Sequence, residues 1–290
     1  MYKCVKLTME DIDNFRELNK INDNFNVLNK NFFDKYDNEN MIKKIFLTKQ
    51  VNVLKNKDAY IGYVWASKIE KSKIYNLNSL NIIEDYKFNI HLYRQLINSI
   101  DKKYILKYTC EKNYYNYYIL NSLGFKQIEG TIELFRDINN LIMYRIPSNV
   151  EFRSFVCSKD EELRCKVQND IFYNKDRIPL TVRDVWYDEQ QNYFYEKGCY
   201  FMKVDNKYVG YGQIIFEDSM PYIVNFGIIK EYRNAGYGKN LLEYLINSLY
   251  NIGFKKVFIK VDCTNYIALN LYAKLGFVFN KEICKWQLEK

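Results

Sequence analysis

Arg233-Asn234-Ala235-Gly236-Tyr237-Gly238-Lys239 stands between a strand-like run at 222–229 and a helix-like one at 238–250. In the second run Leu241, Leu242, Leu245, Ile246 and Leu249 recur at helical spacing. A glycine-containing turn at a helix N-terminus presents several backbone N–H groups that have no intrahelical acceptor, and the helix dipole reinforces their positive end. That combination is an anion site, and glycines let a diphosphate approach the backbone. Two phosphate-binding motifs can be excluded. A Rossmann G-x-G-x-x-G needs a glycine where Leu241 stands; a Walker A loop ending at Gly238-Lys239 needs glycine at Arg233 and Ser or Thr at Asn240.

Outward from the loop, the pattern is mixed. Downstream, 256–261 reads as a strand, 265–275 as a helix, and 282–288 as a strand with Cys284, Trp286 and Leu288 on one face. Upstream, 151–156 is strand-like, and 160–173 is helix-like, opening at Asp160 with Glu161 and Glu162 in its first turn. Residues 200–204 and 208–216 make a hairpin around Asp205-Asn206-Lys207. Antiparallel strands followed by a strand–helix–strand unit predict an α/β (α+β) fold: a mixed, mostly antiparallel sheet flanked by helices.

The chain also repeats itself. Gly62, in Ala-Tyr-Ile-Gly-Tyr, and Gly210, in Lys-Tyr-Val-Gly-Tyr, lie 148 residues apart; Leu-Ile-Asn-Ser recurs at 96–99 and 245–248; Leu-Gly-Phe recurs at 123–125 and 275–277; Asn113 is repeated as Asn265. Four matches in order at nearly constant offset imply two similar domains, expected at 1–147 and 148–290 with Pro147 at the join.

The loop and the segment after it resemble the GNAT (Gcn5-related) N-acetyltransferase superfamily. Its diphosphate loop, [R/Q]-x-x-G-x-[G/A], is matched by Arg233, Gly236 and Gly238. A second element, N-x-x-A-x-x-L-Y-x-x-x-G-F, is matched in full by Asn265, Ala268, Leu271, Tyr272, Gly276 and Phe277. The resemblance covers 151–290 and extends to the first half through the repeat, giving a tandem arrangement.

What the resemblance implies is specific. Acetyl-CoA, as acyl donor, lies in an opening between the fourth and fifth strands. Its pantetheine arm pairs with backbone around Phe226, Gly227 and Ile228, and Gly227 marks a bulge that splays the strands. The diphosphate sits on the N–H groups of Asn234, Ala235, Gly236, Tyr237, Gly238 and Lys239, beside Arg233. Tyr272 donates a proton to the departing thiolate, and Asn265 contacts the cofactor arm. The implied activity is acyl-CoA-dependent N-acyl transfer, most simply of acetyl, to an amine of a small molecule or an exposed amino group.

Plainer readings fit the same residues. The glycines suit any tight turn, Arg233 a solvated loop, Asn265 a helix cap, and Tyr272 the apolar stripe of Ala268, Leu271 and Leu275. A non-catalytic acyl-CoA sensor is the alternative from another class. An aminoacyl or peptidyl transferase with paired domains is the alternative within the fold, and the intact loop argues against it. Many relatives carry a Glu on the fourth strand as general base, but Tyr222 occupies that place; Glu217 and Asp218 lie in the preceding turn.

The first half lacks the loop. Ile82-Ile83-Glu84-Asp85-Tyr86-Lys87-Phe88 stands there without a glycine, its two carboxylates would repel phosphate, and Leu120 replaces Tyr272. It reads as a copy that keeps the fold and lacks the cofactor site.

Composition excludes other classes. With one histidine, His91, a multi-histidine metal site is ruled out, no metal is expected, and a Ser-His-Asp mechanism would rest on that residue, which has no nucleophile elbow near it. Seven scattered cysteines without C-x-x-C argue against a disulfide framework or a Cys-rich zinc site. The net charge of +8 is spread among acidic residues and not gathered in blocks, so nucleic acid is not an expected partner. No apolar run of membrane-spanning length and no leader-like start is present, so a cytoplasmic protein with no membrane partner is expected.

Overall fold

The computed structural model describes residues 2–100, 104–143, 145–175 and 177–289. It divides into two compact units, Met1–Thr131 with Lys281–Lys290, and Ile132–Asn280. The sequence reading put a single cut near Pro147. The chain instead changes unit at 131/132 and returns to the first unit for its last segment.

In the second unit the strands are β7 (Val150–Ser154), β8 (Phe194–Val204), β9 (Lys207–Glu217), β10 (Met220–Ile228) and β11 (Lys256–Asp262). They run in the order β11-β10-β9-β8-β7, and β6 (Lys126–Asp137), which enters this unit at Ile132, lies next to β11. β7 to β10 pair antiparallel with their neighbours; β10 and β11 pair parallel. The β8–β9 hairpin closes through Asp205 and Asn206, both at positive φ (47° and 65°), the backbone a two-residue turn needs to match strand twist.

Helices cover both faces. α8 (Tyr237–Asn251) buries Leu241, Leu242, Leu245, Ile246 and Leu249 against Ile223, Val257 and Ile259. Each such side chain contributes about 1.5–3 kcal/mol by leaving water. On the other face α6 (Glu161–Ile171) and α7 (Val182–Glu189) bury Val167, Ile171 and Val185 against Cys199, Phe201 and Tyr211. α7 falls in a stretch without a clear sequence pattern; Thr181 and Asp184 start it with a reciprocal capping box.

The first unit repeats these elements. β1 (Tyr2–Lys6), β2 (Val51–Asn56), β3 (Ala59–Lys68), β4 (Ile74–Ile82) and β5 (Ile105–Glu111) lie in that order, antiparallel except for the parallel β4–β5 pair. Helices α1 (Ile12–Asn19), α2 (Phe32–Tyr36), α3 (Met41–Thr48), α4 (Ile90–Asn98) and α5 (Tyr114–Ser122) complete it. The strand beside β5 is β12 (Val278–Glu289), paired antiparallel from Ile283↔Glu111 to Glu289↔Ile105. Cys284 and Trp286, expected on one face of a terminal strand, are buried in the core of this unit. Among the described residues no helix is long and apolar enough to cross a membrane.

Candidate active site

β10 is paired on both sides at its start and on one side at its end. Against β9 the register runs from Met220↔Glu217 to Ile228↔Gly210, with one extra residue on β10 between Val224 and Gly227. Against β11 only Tyr222↔Phe258 and Ile223↔Ile259 are in register. Beyond Ile223 the two strands part, and a cleft of about 260 Å³ opens between Val224–Phe226 and Ile259–Asp262, closed at its far side by α9 (Tyr266–Lys274) through Tyr272.

The bulge lies between Val224 and Gly227, and its left-handed residue is not the glycine. Asn225 carries the positive φ, 50°, a conformation that asparagine tolerates better than most side chains. Gly227 serves packing instead: a Cβ there would lie 2.3 Å from Ile171 Cγ2, so its bareness lets α6 press onto β10.

After β10 comes a single 3-10 turn, Lys230–Tyr232, and then the loop. Arg233 is extended, Asn234 and Gly236 are left-handed (φ 64° and 86°), and Gly236 caps α8. The first bond of the helix runs from Asn240 N–H to Gly236 O, which leaves the amides of Tyr237, Gly238 and Lys239 as first-turn donors. Nothing lies within 4 Å of a Cβ built on Gly236, so the space beside these amides is open. Arg233 does not point its charge into that space. Its Nε donates to Ile228 O (2.9 Å) and its Nη2 to Ile171 O (2.7 Å), bracing the loop against β10 and the end of α6. Lys239 lies 3.7 Å from Glu243 on the next turn of α8.

Tyr272 is 5% exposed and lines the cleft, its ring 6.3 Å from that of Phe226. Burial raises the pKa of its phenol, and the hydroxyl makes no hydrogen bond to another described residue. A phenol so placed stays protonated at neutral pH and is available as a donor. Asn265 caps α9, its side chain accepting from Ala268 N–H (3.1 Å), and also lines the cleft. The cap and the cleft wall are thus one residue.

The carboxylates sit elsewhere. Glu217 and Asp218 lie at the β9–β10 turn, away from the cleft lining, with Glu217 ion-paired to Lys260 at 2.6 Å. Asp262 does line the cleft, but its Oδ1 accepts from both the amide and the hydroxyl of Thr264, and these bonds hold its pKa below the usual carboxylate range. At the fourth-strand position that holds a Glu in many relatives, Tyr222 donates to the buried Glu133 of β6 (3.2 Å), which also accepts from Asn280 (2.6 Å). Burial and the Glu133 charge push the Tyr222 phenol up to about 12. Glu133 escaped the sequence reading because it stands almost 90 residues before Tyr222, in the other half of the repeat.

The equivalent gap in the first unit is filled by its own chain. β4 and β5 are in register from Ile74↔Ile105 to Asn76↔Lys107 and then part, as β10 and β11 do. Residues 25–30, from the connection between α1 and α2, bond to both strands beyond that point. Lys30 N–H donates to Asn78 O (2.8 Å), Asn29 Nδ2 to Leu80 O (3.2 Å), and Phe25 N–H to Asn81 Oδ1 (3.0 Å) on β4. Asn26 Nδ2 donates to Thr109 O (2.9 Å) and its Oδ1 accepts from Glu111 N–H (3.1 Å) on β5. Phe25 is buried among Tyr93, Tyr108 and Tyr115. The backbone that could pair with an extended ligand is already taken. The loop position holds the 3-10 turn Glu84–Tyr86, with Glu84 ion-paired to Lys87, and Leu120 is fully buried where Tyr272 stands in the other copy.

Comparison with known proteins agrees with this layout. Residues 168–277, which hold the splayed strands, the loop and α9, match the Acetyltransferase (GNAT) family. A GCN5-related N-acetyltransferase from Sphaerobacter thermophilus superposes over 99% of this chain and 95% of its own, with a TM-score of 0.59 at 12% identity. The tandem GNAT protein of the clavulanic acid biosynthesis pathway does so over 100% and 98%, with a TM-score of 0.50 at 11% identity. Residues 168–277 thus match the GNAT family, and the chain as a whole shares the fold of these two solved GNAT structures. At these identities the likeness of the GNAT structures is one of fold. In sequence, a mycothiol acetyltransferase from Streptomyces coelicolor is 24% identical over 148 residues, 50% of this chain and 48% of that protein. One from Amycolatopsis mediterranei is 26% identical over 140 residues, 44% and 46%. The chain spans about half the length of the curated relatives it matches.

Proposed function

We propose that this chain is a GNAT protein, an acyl-CoA-dependent N-acetyltransferase with one active site per chain, in the unit Ile132–Asn280, acting on an amine of a small molecule or an exposed amino group. The observation that carries it is the contrast between the two copies: β10 and β11 part beside an open, glycine-bearing loop, while residues 25–30 occupy the gap between β4 and β5. That the matched relatives are named acetyltransferases favours acetyl as the group transferred.

In this reading the amides of Asn234 to Lys239 hold the diphosphate of acetyl-CoA, the donor substrate. The pantetheine arm enters the cleft along Phe226, Gly227 and Ile228, as an added strand pairs with a sheet edge. Asn265 contacts that arm, and Arg233 keeps the loop in place. The thioester then lies near the bulge, within the reach of α9. The amine nitrogen attacks the carbonyl carbon, the C–S bond breaks, and the Tyr272 phenol protonates the leaving thiolate. A sensor that binds acyl-CoA without turnover is the second reading, favoured by the absence of a carboxylate from the described residues of β10. It predicts binding with no release of free CoA thiol when amines are supplied.

Calorimetric titration with CoA should give one site per chain; two equivalent sites would overturn the assignment to a single unit. Thiol release from acetyl-CoA in the presence of a panel of primary amines separates transferase from sensor. The loop has its own test. Gly236→Val forces a β-branched residue into a left-handed backbone, costing about 1–2 kcal/mol, and directs its side chain into the open space beside the amides. The Kd for acetyl-CoA should rise roughly tenfold or more, while the backbone strain lowers the thermal midpoint by only about 2–8 °C. A Kd within threefold of the parent would remove the loop from the binding site.

A further inference from the structure

β10 presents an amide, Asn225, at the point where it leaves β11. Asn225 is exposed at the cleft, and its side chain is not free to turn. A buried chain of hydrogen bonds runs to it from α6 and α7. Asp188 on α7 accepts from Arg164 Nη2 (2.6 Å) and Gln213 Nε2 (3.2 Å) through Oδ2, and from the Tyr193 hydroxyl (2.8 Å) through Oδ1. Arg164 is 2% exposed and also donates to Gln213 Oε1 (3.0 Å); Gln213 is fully buried. Asn225 Nδ2 completes the chain by donating to the same Gln213 Oε1 (3.0 Å).

The polarity of this chain is forced. A guanidinium only donates, and an ionised carboxylate only accepts. Gln213 must therefore turn its oxygen to Arg164 and its nitrogen to Asp188. The oxygen of Gln213 then requires a donor from Asn225, so the Asn225 amide is oriented with Nδ2 inward. Its Oδ1 is left at the cleft with no donor among the described residues.

Resting on the N-acetyltransferase reading, we infer that Asn225 Oδ1 is the group that receives an N–H of the acceptor amine and aims its lone pair at the thioester carbonyl. Gln213 is a positioning residue that fixes the orientation of that amide. The N–C bond forms as the C–S bond breaks, the electron pair of the latter returns to sulfur, and sulfur takes the Tyr272 proton. The proton shed by nitrogen goes to water, which restores the phenol. A carboxamide is not a base at neutral pH. Asn225 therefore selects the neutral amine and does not deprotonate the ammonium, and acyl transfer follows the ionisation of the amine itself.

The test is thiol release from acetyl-CoA with primary amines graded from aniline-like to alkylamine basicity, measured across pH. For the parent chain, kcat/KM for each amine should rise with pH to that amine's own pKa, the inflection moving from amine to amine. An inflection fixed at one pH for the whole panel would reveal a protein base and overturn the assignment. Asn225→Gly suits the positive φ and removes the acceptor atom; it should lower kcat/KM for the amine about 10–100-fold, with the calorimetric Kd for acetyl-CoA moving less than threefold. Asn225→Asp sets a carboxylate against Gln213 Oε1, acceptor facing acceptor, so it should fail to restore transfer; transfer at the parent rate in that variant would overturn the orientation assigned to Asn225. Undiminished transfer by Asn225→Gly overturns the role of Asn225 alone. Absence of transfer to any amine by a parent chain that binds acetyl-CoA overturns the transferase reading, and this assignment with it.

Discussion

Tyr272→Phe is expected to lower kcat by about 10²–10⁴-fold, the range that a positioned general acid contributes, while leaving CoA affinity nearly unchanged. The substitution removes one oxygen and keeps the ring that packs between Phe226 and Phe277. The hydroxyl makes no hydrogen bond to the described residues, so its loss orphans no protein partner and the fold has little to lose. Burial raises the phenol's pKa, so the protonated form persists through neutral pH and is depleted only above the ordinary tyrosine range. A rate that declines near neutrality on the alkaline side therefore has another group as its cause. If Tyr272 only fills space, Phe is nearly isosteric and turnover persists. A loss well short of tenfold at saturating amine assigns the residue to packing and leaves the loop's role intact, since that role rests on backbone amides. An amine that reacts readily is required, because slow product release masks the chemical step.

How far the sequence carried this result differs by feature. The repeat was legible because elements matched at nearly constant spacing: β3 and β9 carry the shared glycine, α4 and α8 the Leu-Ile-Asn of the shared tetrad, and α5 and α9 are each bracketed by the shared Asn and Leu-Gly-Phe. The loop was legible because its chemistry is local, a glycine turn before an apolar helical stripe. Gly227 does border the bulge, but a glycine advertises backbone freedom more loudly than an asparagine does, and here Asn225 takes the positive φ while Gly227 gives way to Ile171. The chain from Arg164 through Gln213 was invisible. Each member is a polar residue that a periodicity reading assigns to a surface, and only tertiary pairing buries them together. The filling of the β4–β5 gap was hidden in the same way, since Asn26 and Asn29 look like ordinary loop residues until their amides meet strand backbone.

Strand pairing at long range is the last feature that local pattern cannot supply, and it has the largest expected effect on stability. The alternation of Cys284, Trp286 and Leu288 predicted a terminal strand with one buried face without naming the core it enters. Trp286 is 1% exposed, stands opposite Tyr108 on β5, and meets the Tyr117 ring edge-on at 5.5 Å, within the core of the unit built from Met1–Thr131 and Lys281–Lys290. Trp286→Ala should cost that unit about 3–5 kcal/mol, the usual result of emptying a buried tryptophan site. Hydrogen exchange locates the loss. Amides of 106–110 on β5 should lose protection by the corresponding factor, on the order of 10²–10⁴. Amides of 241–249 on α8, whose packing lies wholly in the other unit, should exchange as in the parent. Had β12 completed the sheet of its own repeat, the pattern would invert, with α8 and β11 deprotected and β5 unaffected. The choice between these outcomes rests on the register Trp286↔Tyr108, which no spacing within either repeat encodes.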